Sequence, residues 1–217
     1  MWMEGEDLTG TLSANDPVDT WLNTGNGGTG YDLIKIATDT TRPLYKTASG
    51  PNGLPYVESN RSSFQTLKVR TASGMLATAS TLVMVINPQS LASSYDCAFL
   101  SGKNGLYLKL GGSNWGSYME GDVDSGAALS TGTWYVLAIV MRAFNDIDFY
   151  TGLSKVTRTN GNNYHNSPLI QTIFSSGNAE QWSSVKCAMV GWDDTTYDET
   201  AMDAIINALG TKYGVSV

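Results

Sequence analysis

The sequence predicts an all-β protein, an antiparallel two-sheet β-sandwich of jelly-roll type closed by one C-terminal α-helix. Short apolar segments recur through the middle of the chain, either alternating with polar residues or apolar on both faces, and turn residues separate them. No helix-period segment lies between those strands, which disfavours the crossovers of a parallel α/β sheet. From Asp198 onward the period changes to that of a helix.

At 217 residues the chain is expected to form a single domain spanning 1–217, a length that β-sandwiches reach as one unit. With 41% hydrophobic residues, 15% charged residues and 23 glycines, it has material for a sizeable core and for many turns. The net charge of -7, without clusters of Lys and Arg, argues against nucleic acid as a partner. The longest apolar run, Trp134 to Met141, is of strand length and far from the roughly 18 to 20 residues of a membrane span, so membrane insertion is not expected. The start, MWMEGEDLTG, has neither the basic residues nor the apolar stretch of a signal peptide, which fits a chain made in the cytoplasm or an excised domain.

Taken in order, the region from Leu8 to Pro55 is dominated by Gly, Ser, Thr, Asn and Asp and reads as loops and short strands, with tryptophans as anchors. Thr66 to Arg70 alternates Leu67 and Val69 with polar neighbours, the mark of a strand with one wet face. Leu82 to Ile86, Trp134 to Met141 and Val185 to Trp192 are apolar on both faces, which predicts strands covered on both sides. Leu106, Leu108 and Leu110 alternate with Tyr107 and Lys109, and Ile147 and Phe149 alternate with Asp146, Asp148 and Tyr150, as in half-exposed strands. Turns are expected at Lys103-Asn104-Gly105, Gly111-Gly112-Ser113, Ser125-Gly126, Thr131-Gly132 and Asn160-Gly161. Met202, Ile205, Ile206 and Leu209 then fall at i, i+3, i+4 and i+7 of a helix over about 198–213, with Asp198 as N-cap and Gly214 as stop. Cys97 and Cys187 sit in apolar strand-like stretches and read as two buried free thiols in preference to a disulfide.

Two blocks resemble the laminin-G-like domains of the concanavalin A-like lectin and glucanase superfamily, found in phage and bacterial surface proteins. The first runs through Trp2, Asp7, Asp16-Pro17-Val18, Trp21, Gly25-Asn26-Gly27, Arg42-Pro43, Tyr45 and Asn52-Gly53-Leu54-Pro55. The second is Asp198 to Gly214, ending in Thr211-Lys212-Tyr213-Gly214, which is similar to the helix that closes these domains. The sequence departs from the pattern at Val57-Glu58-Ser59-Asn60 and at Met189, where a glutamate is common. The resemblance implies two curved antiparallel sheets, a fold shared by lectins, glycosidases, adhesion modules and inert structural domains.

The candidate chemistry follows from residue types in loops. Asn114, Trp115 and Tyr118 pair an aromatic ring with an amide in a Gly-rich loop, and Asn163, Tyr164 and His165 form a second such cluster, so both are candidate sugar-binding groups. Trp115 reads equally as a plug at the edge of the sandwich. Trp2, Trp21, Trp134, Trp182 and Trp192 read as core or lid residues. Asp122 and Asp124, within Glu120-Gly121-Asp122-Val123-Asp124, are candidate Ca²⁺ ligands of the kind some laminin-G-like domains carry, and Asp193-Asp194 is a second carboxylate pair; a solvated turn is the simpler reading of each.

Asp146 and Asp148 share a strand face at a spacing a glycosidase pair would need, but the flanking glutamates of the glucanases are missing, and a solvated face is the preferred reading. His165 is the sole histidine, and no Gly-x-Ser-x-Gly turn accompanies it. Gly25 to Gly30 has glycines but no lysine or following helix to hold a phosphate. No catalytic residue is therefore assigned. The expected function is a non-catalytic binding or adhesion module for a glycan or surface polysaccharide, displayed on a virion or cell surface. The alternatives are a virion decoration protein acting through capsid contacts and, disfavoured, a polysaccharide hydrolase.

Overall fold

The computed structural model describes residues 1–36, 41–70, 80–91, 97–101, 107–109, 114–118, 122–143, 146–159, 171–174 and 183–217. Its strands are β1 (Trp2–Glu4), β2 (Thr20–Trp21), β3 (Leu33–Lys35), β4 (Leu44–Lys46), β5 (Tyr56–Ser59), β6 (Leu67–Val69), β7 (Ser80–Pro88), β8 (Cys97–Ser101), β9 (Tyr107–Lys109), β10 (Gly116–Tyr118), β11 (Asp122–Asp124), β12 (Tyr135–Ala143), β13 (Asp146–Thr151), β14 (Ser154–Thr159), β15 (Gln171–Ile173) and β16 (Val185–Asp193). One helix follows, α1 (Glu199–Tyr213). Among the described residues the strands form two antiparallel sheets, of 8 strands each.

The first sheet runs in the order β14, β13, β12, β7, β16, β5, β4, and β1 also pairs with β16. The second runs β11, β10, β9, β8, β15, β6, β3, β2. The all-β antiparallel expectation holds, including the short strands before Pro55, where Trp21 is fully buried and donates its indole N–H to the Glu4 carbonyl at 2.8 Å.

The doubly apolar strands lie side by side at the centre of the first sheet, where both faces are covered. Leu82, Met84 and Ile86 of β7 and Leu137, Ile139 and Met141 of β12 face the space between the sheets, where they meet Trp21, Leu33, Leu67 and Ile173. Val83, Val85, Val136, Ala138 and Val140 face outward into a second apolar layer under α1. In β16 the alternation changes phase. Val185 and Cys187 point between the sheets, Ala188 and Met189 point to the helix, and Val190 and Trp192 point between the sheets again. A register shift between Cys187 and Met189 against β7 causes this, since an extra residue on one strand reverses the faces of those beyond it.

The helix forms as its sequence predicts. Asp198 accepts the Ala201 N–H at 2.8 Å through its carboxylate, and Gly214 ends the helix in the left-handed region at φ 61°. Met202, Ile206, Leu209 and Tyr213 are buried against the sheet, while Ile205 is half-buried at the margin. Fully burying each aliphatic side chain stabilises the closure by about 1.5–3 kcal/mol. Lys212 ties the helix end to the start of the chain, with Nζ at 2.7 Å from both the Glu4 and Glu6 carboxylates.

Two expectations are corrected here. β13 is buried on both faces from Ile147 to Tyr150, not half-exposed. Asp148 is only 2% exposed; it accepts hydrogen bonds from Arg142 Nε at 2.7 Å and Thr157 Oγ1 at 2.6 Å, so it is an internally paired charge and not part of a solvated face. Asp146, two residues earlier, is exposed and bonded to Thr159 at 3.0 Å. Cys187 is a free buried thiol; the side chain of Cys97 lies outside the described set.

Candidate functional site

Trp115 is the first predicted site residue to be reassigned. Its side chain is fully buried, its ring packs edge-on against Phe149 at 5.4 Å and 86°, and its N–H is donated to Thr151 Oγ1 at 2.8 Å. The ring fills the space between the sheets and offers no face to a sugar. A large apolar ring beside Gly116 gains more from burial than from exposure, and the strand pairing of β10 with β11 closes over it. Asn114 is half-buried and donates to Asp124 at 3.0 Å, while Asp124 also accepts the Gly126 N–H at 2.6 Å. Asp124 thus closes a turn. Tyr118 and Asp122 are backbone register partners in the pairing of β10 with β11, and their side chains lie outside the described set. Among the described residues no group of three His, Cys, Asp or Glu side chains gathers to hold a metal ion. Asn163, Tyr164 and His165 lie outside the described residues, as do Glu120, Gly121 and Trp182.

The structure instead brings together residues from three distant parts of the sequence. A groove of about 560 Å³, within the size range of ligand pockets, opens beside the N-terminal half of α1. Trp2, Tyr31 and Tyr197 supply its half-buried aromatic walls, and Asn26, Asp193 and Asp194 supply its polar rim. A second recess of about 380 Å³, around Glu58, Asn60, Ser63, Gln65 and Gln89, has polar groups but no aromatic ring.

The walls are held by specific bonds. Asn23 is the joint: its Oδ1 accepts the Trp2 N–H at 2.7 Å and the Gly25 N–H at 3.1 Å, and its Nδ2 donates to the Gly25 and Gly28 carbonyls at 3.2 and 2.9 Å. Asp32, buried and ion-paired with Arg70 at 3.0 Å, accepts the Asn23 backbone N–H at 2.9 Å. One asparagine therefore fixes the Gly-rich loop to β1. Glycine is needed for space at two places. A β-carbon at Gly27 would stand 2.5 Å from the Tyr31 ring, and one at Gly191 would stand 2.8 Å from the Trp2 ring. Each ring is seated on bare backbone.

On the opposite wall, Asp193 accepts the Thr195 N–H and the Tyr197 hydroxyl, both at 2.9 Å, and Thr81 Oγ1 donates to the Thr195 carbonyl at 2.8 Å. Burial alone would raise the Asp193 pKa, but the hydrogen bonds from Thr195 and Tyr197 outweigh it and hold the carboxyl below its ordinary range. Burial and Asp193 together push the Tyr197 hydroxyl above its ordinary value. Asp193 is thus ionised and Tyr197 stays a donor. The groove offers flat rings, fixed hydrogen-bond groups and two carboxylates.

Sequence reasoning placed Trp2 among core or lid residues and Asp193-Asp194 in a solvated turn. The available signal was the pairing of Trp2 with the Gly25-Asn26-Gly27 loop in one family-like block. What it lacked was the meeting of that block with the end of β16.

No protein-family model matches the sequence, and no curated protein matches it either. Solved structures do match in fold. The chain is similar to domain 4 of AbnA, a GH43 extracellular arabinanase from Geobacillus stearothermophilus, solved in complex with arabinotriose: TM-score 0.59, 11% identity, covering 79% of this chain and 84% of that one. It is similar to a GH54 α-L-arabinofuranosidase soaked with a cyclic sulfate inhibitor, with TM-score 0.67 and 11% identity over 94% of this chain and 53% of that one. It is also similar to Trypanosoma rangeli sialidase in complex with sialic acid, with TM-score 0.54 and 13% identity over 100% of this chain. The chain spans 33% of that sialidase's length. By architecture, then, this is a β-sandwich, the fold that it shares with these solved structures.

Proposed function

We propose that the protein is a non-catalytic glycan-binding module of laminin-G-like type that grips an oligosaccharide in the groove between Trp2, Tyr31 and Tyr197. The observation that carries this reading is the pairing of half-buried aromatic rings, each placed by a specific contact, with a rim of Asn26, Asp193 and Asp194. Pyranose and furanose rings present C–H groups on one face and hydroxyls at the edge, and such a groove complements both. The arabinanase domain of the same fold that binds arabinotriose supports the ligand class by analogy of fold alone.

A non-catalytic role is favoured by the state of the carboxylates. The two-carboxylate route to glycoside hydrolysis needs one carboxyl kept protonated by a raised pKa, whereas Asp193 is shifted down by its hydrogen bonds. Asp148 is buried and paired with Arg142. Display on a virion or a bacterial surface is the setting the family-like blocks suggest.

Titration calorimetry against neutral oligosaccharides tests the proposal. Binding by the native chain, lost in Trp2→Ala and Tyr31→Ala but kept in Asp146→Asn, is the expected result. Release of reducing sugar from any bound oligosaccharide, or binding untouched by both aromatic variants, would overturn it.

A further inference from the structure

We infer that the groove selects uncharged glycans and excludes anionic ones, such as uronate, sialyl and sulfated chains. This inference rests on the glycan reading of the groove and adds its selectivity.

The argument is one of charge. Of the described side chains that line the groove, two are carboxylates, Asp193 and Asp194, and none is Lys, Arg or His. Among the described basic side chains, Lys155 is paired with Glu199 at the start of the helix, Lys212 with Glu4 and Glu6, and Arg70 with Asp32. Among the described residues the Met1 amine is the cationic group at the rim; it donates to the Trp192 carbonyl at 2.7 Å, and burial lowers its pKa despite the neighbouring Asp193 and Asp194. Around the groove the whole molecule carries a net charge of -7. An anionic sugar entering there meets like charge at contact range without a guanidinium or ammonium side chain to receive it, in a recess where walls of low polarity strengthen the repulsion. A charged donor fork of the kind arginine provides is the strongest receiver of carboxylate or sulfate, and the described lining holds none. A neutral sugar meets the same carboxylates as hydrogen-bond acceptors for its hydroxyls, so the groups that repel the one ligand hold the other.

The test is a glycan array carrying neutral arabino-, xylo-, gluco- and galacto-oligosaccharides beside oligogalacturonate, sialylated and sulfated oligosaccharides. The native chain and the variants Trp2→Ala, Tyr31→Ala and Asp194→Asn are compared. Hits are expected among the neutral chains only. Trigalacturonate is expected to bind at least about tenfold more weakly than its methyl ester, and the gap is expected to narrow in Asp194→Asn and in high salt. An anionic hit that Trp2→Ala and Tyr31→Ala both remove would place an anion in the groove; that overturns this inference and leaves the proposed function standing. A blank array overturns both.

Discussion

The six-membered ring of Trp2 rests on Gly191, so closely that a β-carbon on the glycine would stand 2.8 Å from the indole Cε3. The pairing of Trp2 with Gly191 in the β1 and β16 register makes this contact part of the sheet itself. Gly191→Ala is therefore expected to displace the indole, to cost about 1–3 kcal/mol through overpacking, and to abolish glycan binding. Urea denaturation and tryptophan fluorescence, read beside calorimetry, check all of this.

Trp115→Ala is expected to act on stability and not on recognition. The ring is fully buried and stacked edge-on against Phe149, so its removal leaves a large void and costs about 3–5 kcal/mol. Trp115→Phe loses the bond to Thr151 and is expected to cost less, about 1–3 kcal/mol, mainly from stranding a part-buried hydroxyl. In both, glycan affinity of the folded fraction stays at the native level.

Arg142→Met leaves the Asp148 carboxylate buried with Thr157 as its remaining side-chain donor. The expected loss is about 1–3 kcal/mol, recovered in part by adding Asp148→Asn, because the uncompensated charge is then gone. A double-mutant cycle in urea measures the recovery. At the helix, Asp198→Ala removes one cap bond and is expected to cost about 1 kcal/mol.

Alkaline pH is expected to destabilise the fold from about pH 9 upward. Burial pushes the Cys187 thiol well above its ordinary 9.0, and burial followed by Glu4 and Glu6 pushes the Tyr213 hydroxyl well above its ordinary 10.0. Burial opposes the charge of Lys212, but hydrogen bonds to Glu4 and Glu6 raise its pKa above the ordinary 10.5. In all three cases the folded chain keeps a proton that the unfolded chain releases, so each contribution is complete below the ordinary value and falls as pH rises past it. Denaturation midpoints between pH 7 and 11 show the decline, and Cys187→Ala is expected to remove its earliest part.

The helix and the central strands were legible in the sequence because their signals are local. Met202, Ile206 and Leu209 repeat at helical spacing between a cap and a stop, and Leu82 to Ile86 is apolar at every position. The faces of β16 were not legible, since the bulge near Cys187 is a property of its pairing with β7. The burial of Asp148 depends on Arg142 and Thr157 in flanking strands, and no pattern around Asp148 announces them. The groove was the least legible feature. Trp2, Tyr31 and Asp193 are each ordinary in their own surroundings and gain meaning only from the sheet that collects them.

That collection has a consequence for biosynthesis. Trp2 is synthesised long before its seat at Gly191 and the facing wall at Tyr197 and Ile205. A growing chain that has not yet reached Ile205 therefore has no complete groove, however much of the sandwich it has formed. A product shortened before Tyr197 and Ile205 lacks that wall altogether.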